Sequence, residues 1–223
     1  MRFALVENER VEAAPELQGV CPGCGASVIA HCGKQRIWHW KHRTAARCDR
    51  WWETETEWHR NWKDRFPWEW QEIRHSDAQT GEIHIADVLT VHGVVIEFQH
   101  SHLHPEERTA REGFYKNLIW IVDGTRLKRD FPRFRQGMKD YSRPTNKQGY
   151  FFVDFPDEVF PSNWITSPAP VIFDFRGLGV VNQQEPMRDA LWCLHPDRVK
   201  HRAVVLGMST NDLVNVLFTR AQL

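Results

Sequence analysis

The chain has 223 residues, 41 % of them hydrophobic and 26 % charged, and its 29 Lys and Arg balance 29 Asp and Glu. That composition excludes a disordered polymer, and the lack of any long apolar run excludes a membrane-spanning helix. The first sixteen residues, MRFALVENERVEAAPE, turn charged within seven positions and lack an apolar signal core, so we expect a cytoplasmic protein with no membrane partner.

Residues 1–18 read as an edge strand and a turn. Residues 19–48 are rich in Cys, His and Gly and too few to bury a core alone. Five cysteines, an odd number, stand at 21, 24, 32, 48 and 193, four of them crowded near histidines. In a reducing compartment this favours a metal site over disulfides. Cys21-Pro22-Gly23-Cys24 is a tight C-x2-C knuckle, and His39-Trp40-Lys41-His42 follows with H-x2-H. Cys21, Cys24, His39 and His42 would give tetrahedral structural Zn²⁺ in a zinc-finger-like module, with Cys32 and Cys48 as rival ligands. The competing reading is a set of reduced thiols in a turn-rich segment packed by Trp38 and Trp40.

Residues 51–66 have helical character and stop at Pro67. Residues 68–75 form a strand, then a turn over 78–81. The stretch IADVLTVHGVVIEFQHS reads as a hairpin, strands 82–91 and 94–99, turning at His92-Gly93. Pro105 opens a helix through about residue 117. LIWIVDG, 118–124, is a continuous apolar run, the mark of a buried strand reached by a crossover and parallel to its neighbour. The order helix, three strands, helix, strand gives an α/β core with a mixed sheet. Residues 125–149 read as a basic excursion, and from Arg108 to Lys147 eleven basic residues face four acidic ones. That is either a solvated face or a surface for an acidic polymer. GYFFVDF, APVIFDF and LWCLH are further strands. Ser209 caps a closing helix with apolar residues at 213, 214, 217 and 218. The resulting division is 1–48, 49–149 and a C-terminal α/β extension, 150–223.

Asp87 and Glu97 are the carboxylates of the hairpin, and Gln99 shares a strand face with Glu97. Carboxylates among apolar strand residues are costly unless something pairs with them. Mg²⁺ or Mn²⁺ takes such oxygen ligands together with phosphate oxygens, and activates water for attack on a phosphodiester. Glu55, His59 and Lys63, spaced i, i+4, i+8, share a helix face. Glu55 would add a metal ligand or orient a water, and His59 and Lys63 would hold the phosphate or move a proton. The alternative is an ordinary ion-paired helix face, a capping Asp87 and an edge-strand Glu97. His100, His102 and His104 alternate in HSHLH, but the strand ends there, so at most one reaches the site.

The series E-x3-H-x3-K, I-A-D-V, I-E-F-Q-H-S, R-x2-R-x3-Y (Arg108, Arg111, Tyr115) and L-I-W-I-V-D resembles the competence protein CoiA-like family, of the PD-(D/E)XK nuclease superfamily. The resemblance runs from about residue 20 to 124. It implies a restriction-endonuclease-like fold, a mixed sheet flanked by helices, and a metal-dependent deoxyribonuclease. It makes Asp87 the motif aspartate, Glu97 the motif acidic residue and Glu55 the helix glutamate. Gln99 falls where the superfamily has lysine, and Lys63 would reach in instead. Ser101 matches the family's Q-x-S and would bond a phosphate. Arg111 and Tyr115, one helical turn apart, would contact the DNA backbone, which the 126–147 stretch would track. The family also carries a C-P-x-C and H-x2-H segment before its nuclease helix. Its name implies DNA uptake or processing, and defence would use the same chemistry. A catalytically disabled DNA-binding protein and a zinc-dependent interaction module are the rival functions.

Overall fold

A computed structural model of the chain describes residues 1–44, 49–51, 54–77, 81–179 and 185–220. The chain divides into two compact units, Met1–Leu89 and Thr90–Leu223.

The first unit opens with five strands, β1 (Phe3–Val6), β2 (Glu9–Glu12), β3 (Gln18–Val20), β4 (Ser27–His31) and β5 (His39–His42). They form an antiparallel sheet in the order β2-β1-β3-β4-β5. The β1–β2 turn uses Glu7 and Asn8, both at positive φ (52° and 68°), which matches the right-handed twist of the strands it joins. Residues read from sequence as an edge strand plus a coreless segment thus pool into one sheet. Its core is Met1, Ala4, Ala13, Cys21, Val28 and Trp40, drawn from both halves. Trp40 is 1 % exposed and donates its indole N–H to the Val11 carbonyl at 3.0 Å. One large aromatic ring lets so short a segment bury apolar surface.

Helix α1 (Glu57–Lys63) is shorter than the expected 51–66. Thr56 starts it, its Oγ1 accepting from the His59 amide at 3.3 Å. A capping hydroxyl has a stronger hold on the helix start than upstream helical character does. A 3₁₀ turn (Trp68–Trp70) leads into β6 (Gln71–Ser76), antiparallel to β7 (Ile83–Leu89). Part of the expected 78–81 turn, residues 78–80, lies outside the described residues. Gly81 is described, at φ 72°, and its amide bonds the Asp77 carbonyl at 3.0 Å.

The second unit carries a mixed sheet built from β8 (Val95–Gln99), β9 (Leu118–Asp123), β10 (Ser142–Pro144), β11 (Tyr150–Val153), β12 (Val171–Asp174), β13 (Leu191–Val199) and β14 (Arg202–Met208). Their order is β10-β11-β14-β13-β12-β9-β8. β8, β9 and β12 are parallel, and the remaining pairs antiparallel. Every residue of β9 is buried, as its apolar run requires. The turn before β8 closes with the Thr90 amide on the Val94 carbonyl at 2.9 Å, and Gly93 takes φ 76°.

Helix α2 (Pro105–Phe114) links β8 to β9 and begins at Pro105 as expected, but ends three residues before 117. The expected basic excursion instead contains α3 (Asp130–Tyr141). Pro132 does not break it, because it lies in the first turn, where amides have no intrahelical acceptor. Phe131, Phe134 and Met138 of α3 are buried. Phe134 packs against Phe160, Phe175 and Trp192 with ring centroids 4.6–5.6 Å apart. The short helices α4 (Pro156–Val159), α5 (Ser162–Ile165) and α6 (Pro186–Asp189) fill the connections. β14 was not anticipated. The closing α7 (Thr210–Thr219) has a capping box in which Ser209 and Asp212 each bond the other's backbone amide. Leu213 and Leu217 are buried, while Phe218 is 39 % exposed. No helix among the described residues is long and apolar enough to cross a membrane.

Candidate metal centre and charged sites

The knuckle sits between β3 and β4. The Gly25 amide bonds the Cys21 carbonyl at 2.9 Å, the Cys21 amide bonds the Ala26 carbonyl at 2.8 Å, and Gly25 takes φ 74°. This tight turn brings Cys21 and Cys24 together, and the Gly23 amide donates to Cys21 Sγ at 3.3 Å. β5 delivers His42, whose Nε2 lies 3.3 Å from Cys24 Sγ. The ligand atoms of Cys21, Cys24 and His42 lie within 4.8 Å of one another, the one such group of at least three Cys, His, Asp or Glu among the described residues. Two thiols and an imidazole are soft and borderline donors that suit zinc. Burial, then the positive chain terminus, holds the His42 pKa below its ordinary value, which keeps the imidazole in its ligating form.

His39 does not join them. His39 and His42 are three apart on a strand, so they leave opposite faces of the sheet. An H-x2-H pair converges on a helix, not here. His39 Nδ1 instead meets the Ile37 carbonyl at 2.9 Å. Of the rival ligands, Cys32 packs beside the core around Trp40, and Cys48 lies outside the described residues. Cys21, Cys24, Cys32 and Cys193 are not disulfide-bonded. Burial pushes the Cys193 thiol up to about 12, so it is an inert core residue.

The first unit also gathers Glu55, Lys63 and Asp87. Lys63 Nζ lies 2.9 Å from Asp87, 3.4 Å from Glu55 and 3.3 Å from Glu72. Glu55 stands just before the Thr56 cap rather than on the helix, yet still reaches Lys63. Glu72 was missed by sequence reasoning. The pairs Gln71↔Val88 and Ile73↔Ala86 bracket Glu72 and Asp87, which makes those two carboxylates cross-strand neighbours. Like charges so placed repel, and Lys63 offsets that repulsion. No spacing rule marks Glu72, because its role depends on strand register. Its backbone is left-handed, φ 47°, and its carboxylate accepts the amides of Arg2 at 2.7 Å and Phe3 at 3.1 Å.

Burial alone would raise the Glu55 carboxyl, but Lys63 and Arg60 outweigh it and hold it at about 2. Glu72 is likewise lowered, against its burial, chiefly by Lys63. Lys63 is raised: burial disfavours its charge, and Asp87, Glu55 and Glu72 overcome that. The ammonium is therefore permanent. It supplies charge and cannot act as a base at neutral pH. His59, 4 % exposed, is held by Thr56, with Nδ1 3.2 Å from Oγ1.

In the second unit, Arg111 bonds Glu97 at 2.9 Å and Glu107 at 2.5 Å. Arg111 is 4 % exposed and Tyr115 2 %, so neither stands at the surface for a DNA backbone. The reason is local. α2 ends at Phe114, Tyr115 turns inward as its C-cap, and Arg111 is committed to a buried carboxylate. Gln99, 1 % exposed, donates to the carbonyl and the hydroxyl of Ser101, both at 3.2 Å. Of the three histidines in HSHLH, His100 meets Asp123 Oδ2 at 2.7 Å, while His102 and His104 stack edge-on at 5.0 Å. The basic stretch is partly paired with carboxylates outside it, Arg135 with Glu185 and Arg143 with Asp154 at 3.7 and 3.6 Å.

Comparison of the chain with family models, curated proteins and solved structures gave no match.

Proposed function

We propose that the chain is a metal-dependent nuclease that hydrolyses phosphodiester bonds in DNA, with a restriction-endonuclease-like core and a zinc-holding N-terminal sheet. The observation that carries this reading is Lys63 on Asp87 at 2.9 Å, with Glu55 at 3.4 Å. A helix lysine, a helix-start glutamate eight residues before it and a strand aspartate further along the chain meet in one place. That is the grouping the CoiA-like resemblance asks for, and it supplies the lysine that Gln99 does not.

Asp87 is the residue of the first unit that would hold Mg²⁺ or Mn²⁺. Carboxylate oxygens are the hard donors these ions prefer, and Asp87, with 23 % of its side chain exposed, is the most accessible acid around Lys63. Such an ion polarises water and neutralises phosphate charge. Lys63 acts as a fixed positive charge beside Asp87. Glu55 stays ionised at any working pH. Gln99 and Ser101 would orient a phosphate oxygen through amide and hydroxyl, and exposed cations of the 126–147 stretch would track the backbone with steep salt dependence.

The test is cleavage of labelled single- and double-stranded DNA with Mg²⁺, Mn²⁺ or EDTA, comparing the native protein with Asp87→Asn. Metal-dependent cutting that the variant loses supports the reading. A second reading, a DNA-binding protein with a disabled site, draws on Gln99 bonded to Ser101 where a catalytic lysine would stand. DNA binding without cutting by either protein selects it.

A further inference from the structure

Beyond the carboxyl ends of the parallel strands β8, β9 and β12, the second unit opens a cleft of ≈ 250 Å³. In α/β sheets, ligands bind in the crevice outside this edge. His100 and Asp123 come from the ends of β8 and β9, Arg126, Arg129 and Arg133 from the turn after β9 and from α3, and Asn163 from α5.

The charges in this cleft do not cancel. Asp123 is 5 % exposed and already committed. Its Oδ1 accepts the Thr125 amide at 2.8 Å and hydroxyl at 2.6 Å, and its Oδ2 meets His100 Nδ1 at 2.7 Å. Asp130 takes Arg133 at 3.5 Å. Arg126 and Arg129 are exposed, and no carboxylate lies within ion-pair distance of either among the described residues. A carboxylate is acceptor-only, so His100 donates from Nδ1 and its ring is held in one orientation. The wall opposite is also fixed: Arg108 of α2 donates to the Asn163 carbonyl and, at 3.1 Å, to Thr166 Oγ1. Two uncommitted guanidiniums and an oriented imidazole in a pre-built cleft suit a compact dianion. Guanidinium is the cation that best matches phosphate oxygens.

We propose that this cleft binds a phosphate monoester, the 5′-phosphate at the end of a nucleic-acid strand. The two arginines match the double charge of a terminal phosphate, where an internal diester carries one. This goes beyond tracking of the backbone, which is indifferent to ends. Gln99 and Ser101 line this cleft too, so it shares those two residues with the nuclease reading, and it rests on that reading for the identity of the strand that carries the phosphate.

The experiment uses the full chain in EDTA, so that no cleavage intervenes. Short single strands with a 3′ fluorophore and either a 5′-phosphate or a 5′-hydroxyl are titrated by anisotropy. The phosphorylated strand is expected to bind about tenfold tighter or more, the scale of one or two charge-assisted hydrogen bonds. Arg126→Gln with Arg129→Gln should erase the difference, and His100→Gln should reduce it. Equal affinities in the native protein, or a preference that survives the double variant, overturn the proposal. Competition by inorganic phosphate as strong as by a mononucleotide overturns the strand end as occupant. Asp87→Asn should keep the preference. End preference without any cleavage sinks the nuclease reading alone, and cleavage without end preference sinks the cleft alone.

Discussion

The two compact units concentrate charge of opposite sign and in opposite ways. In the first, the thiols of Cys21 and Cys24 and the carboxylates of Glu55, Glu72 and Asp87 gather in small spaces, the last three around buried Lys63. In the second, Arg126 and Arg129 stand exposed at a cleft whose buried carboxylates, Asp123 and Asp130, are already bonded. Buried charge shapes stability, because its partners are fixed and water is absent. Exposed charge contributes little to stability and so remains available to a ligand. The Cys21, Cys24 and His42 group of the first unit could hold a metal cation, and the cleft of the second is the one proposed above for an anion.

The largest expected effect belongs to the knuckle. Native protein should carry one zinc, and Cys24→Ser should lose it and lower the first unit's melting temperature by at least about 10 °C, given the size of structural zinc binding energies. Cys24 is exposed, so lost packing would not explain such a fall. Metal analysis with calorimetry checks this, and zinc-free native protein with an unchanged melting point in the variant would break the cation-holding half of the comparison.

Next comes Lys63→Met, which leaves its carboxylates buried without their common partner. It should cost about 3–5 kcal/mol in urea unfolding at neutral pH. A loss under 1 kcal/mol would place water or another cation there.

The pH profile sharpens the same point. The folded Glu55 carboxyl sits at about 2, below its ordinary 4.5, so its contribution is full above 4.5 and lost as pH falls toward 2. Native stability should therefore drop over that window by something on the order of 3 kcal/mol, and the drop should shrink in Lys63→Met.

The smallest effect on stability is expected from Arg126→Gln and Arg129→Gln, within about 0.5 kcal/mol each. Each should nevertheless lower the slope of DNA affinity against salt by about one. A marked loss of stability would show that these arginines are structural, and the contrast between the units would disappear.

Much of this was legible from residue order. The His92-Gly93 turn, Pro105 at a helix start, the apolar run of β9 and the Ser209 cap all act over a few residues, and each stands where sequence put it. Motif order marked Glu55, Lys63 and Asp87 one by one, while their meeting is seen only in the structure. Three readings failed for physical reasons. His39 shares a motif with His42 but not a strand face. Tyr115 keeps its helical spacing from Arg111, but the helix stops one residue too soon to present it. The basic run of 125–149 contains α3, because Phe131, Phe134 and Met138 form a sparse apolar stripe between its charges.

What sequence by itself determined is local: caps, turns, strand periodicity, and the residue types that metal and phosphate chemistry need. Only the tertiary structure decided which of them meet. Glu72 joins Lys63 through the register of β6 on β7, and Asp123 fixes His100 through the parallel pairing of β9 with β8. Both depend on contacts between segments well separated along the chain, whose energies arise only once strands pair and water leaves.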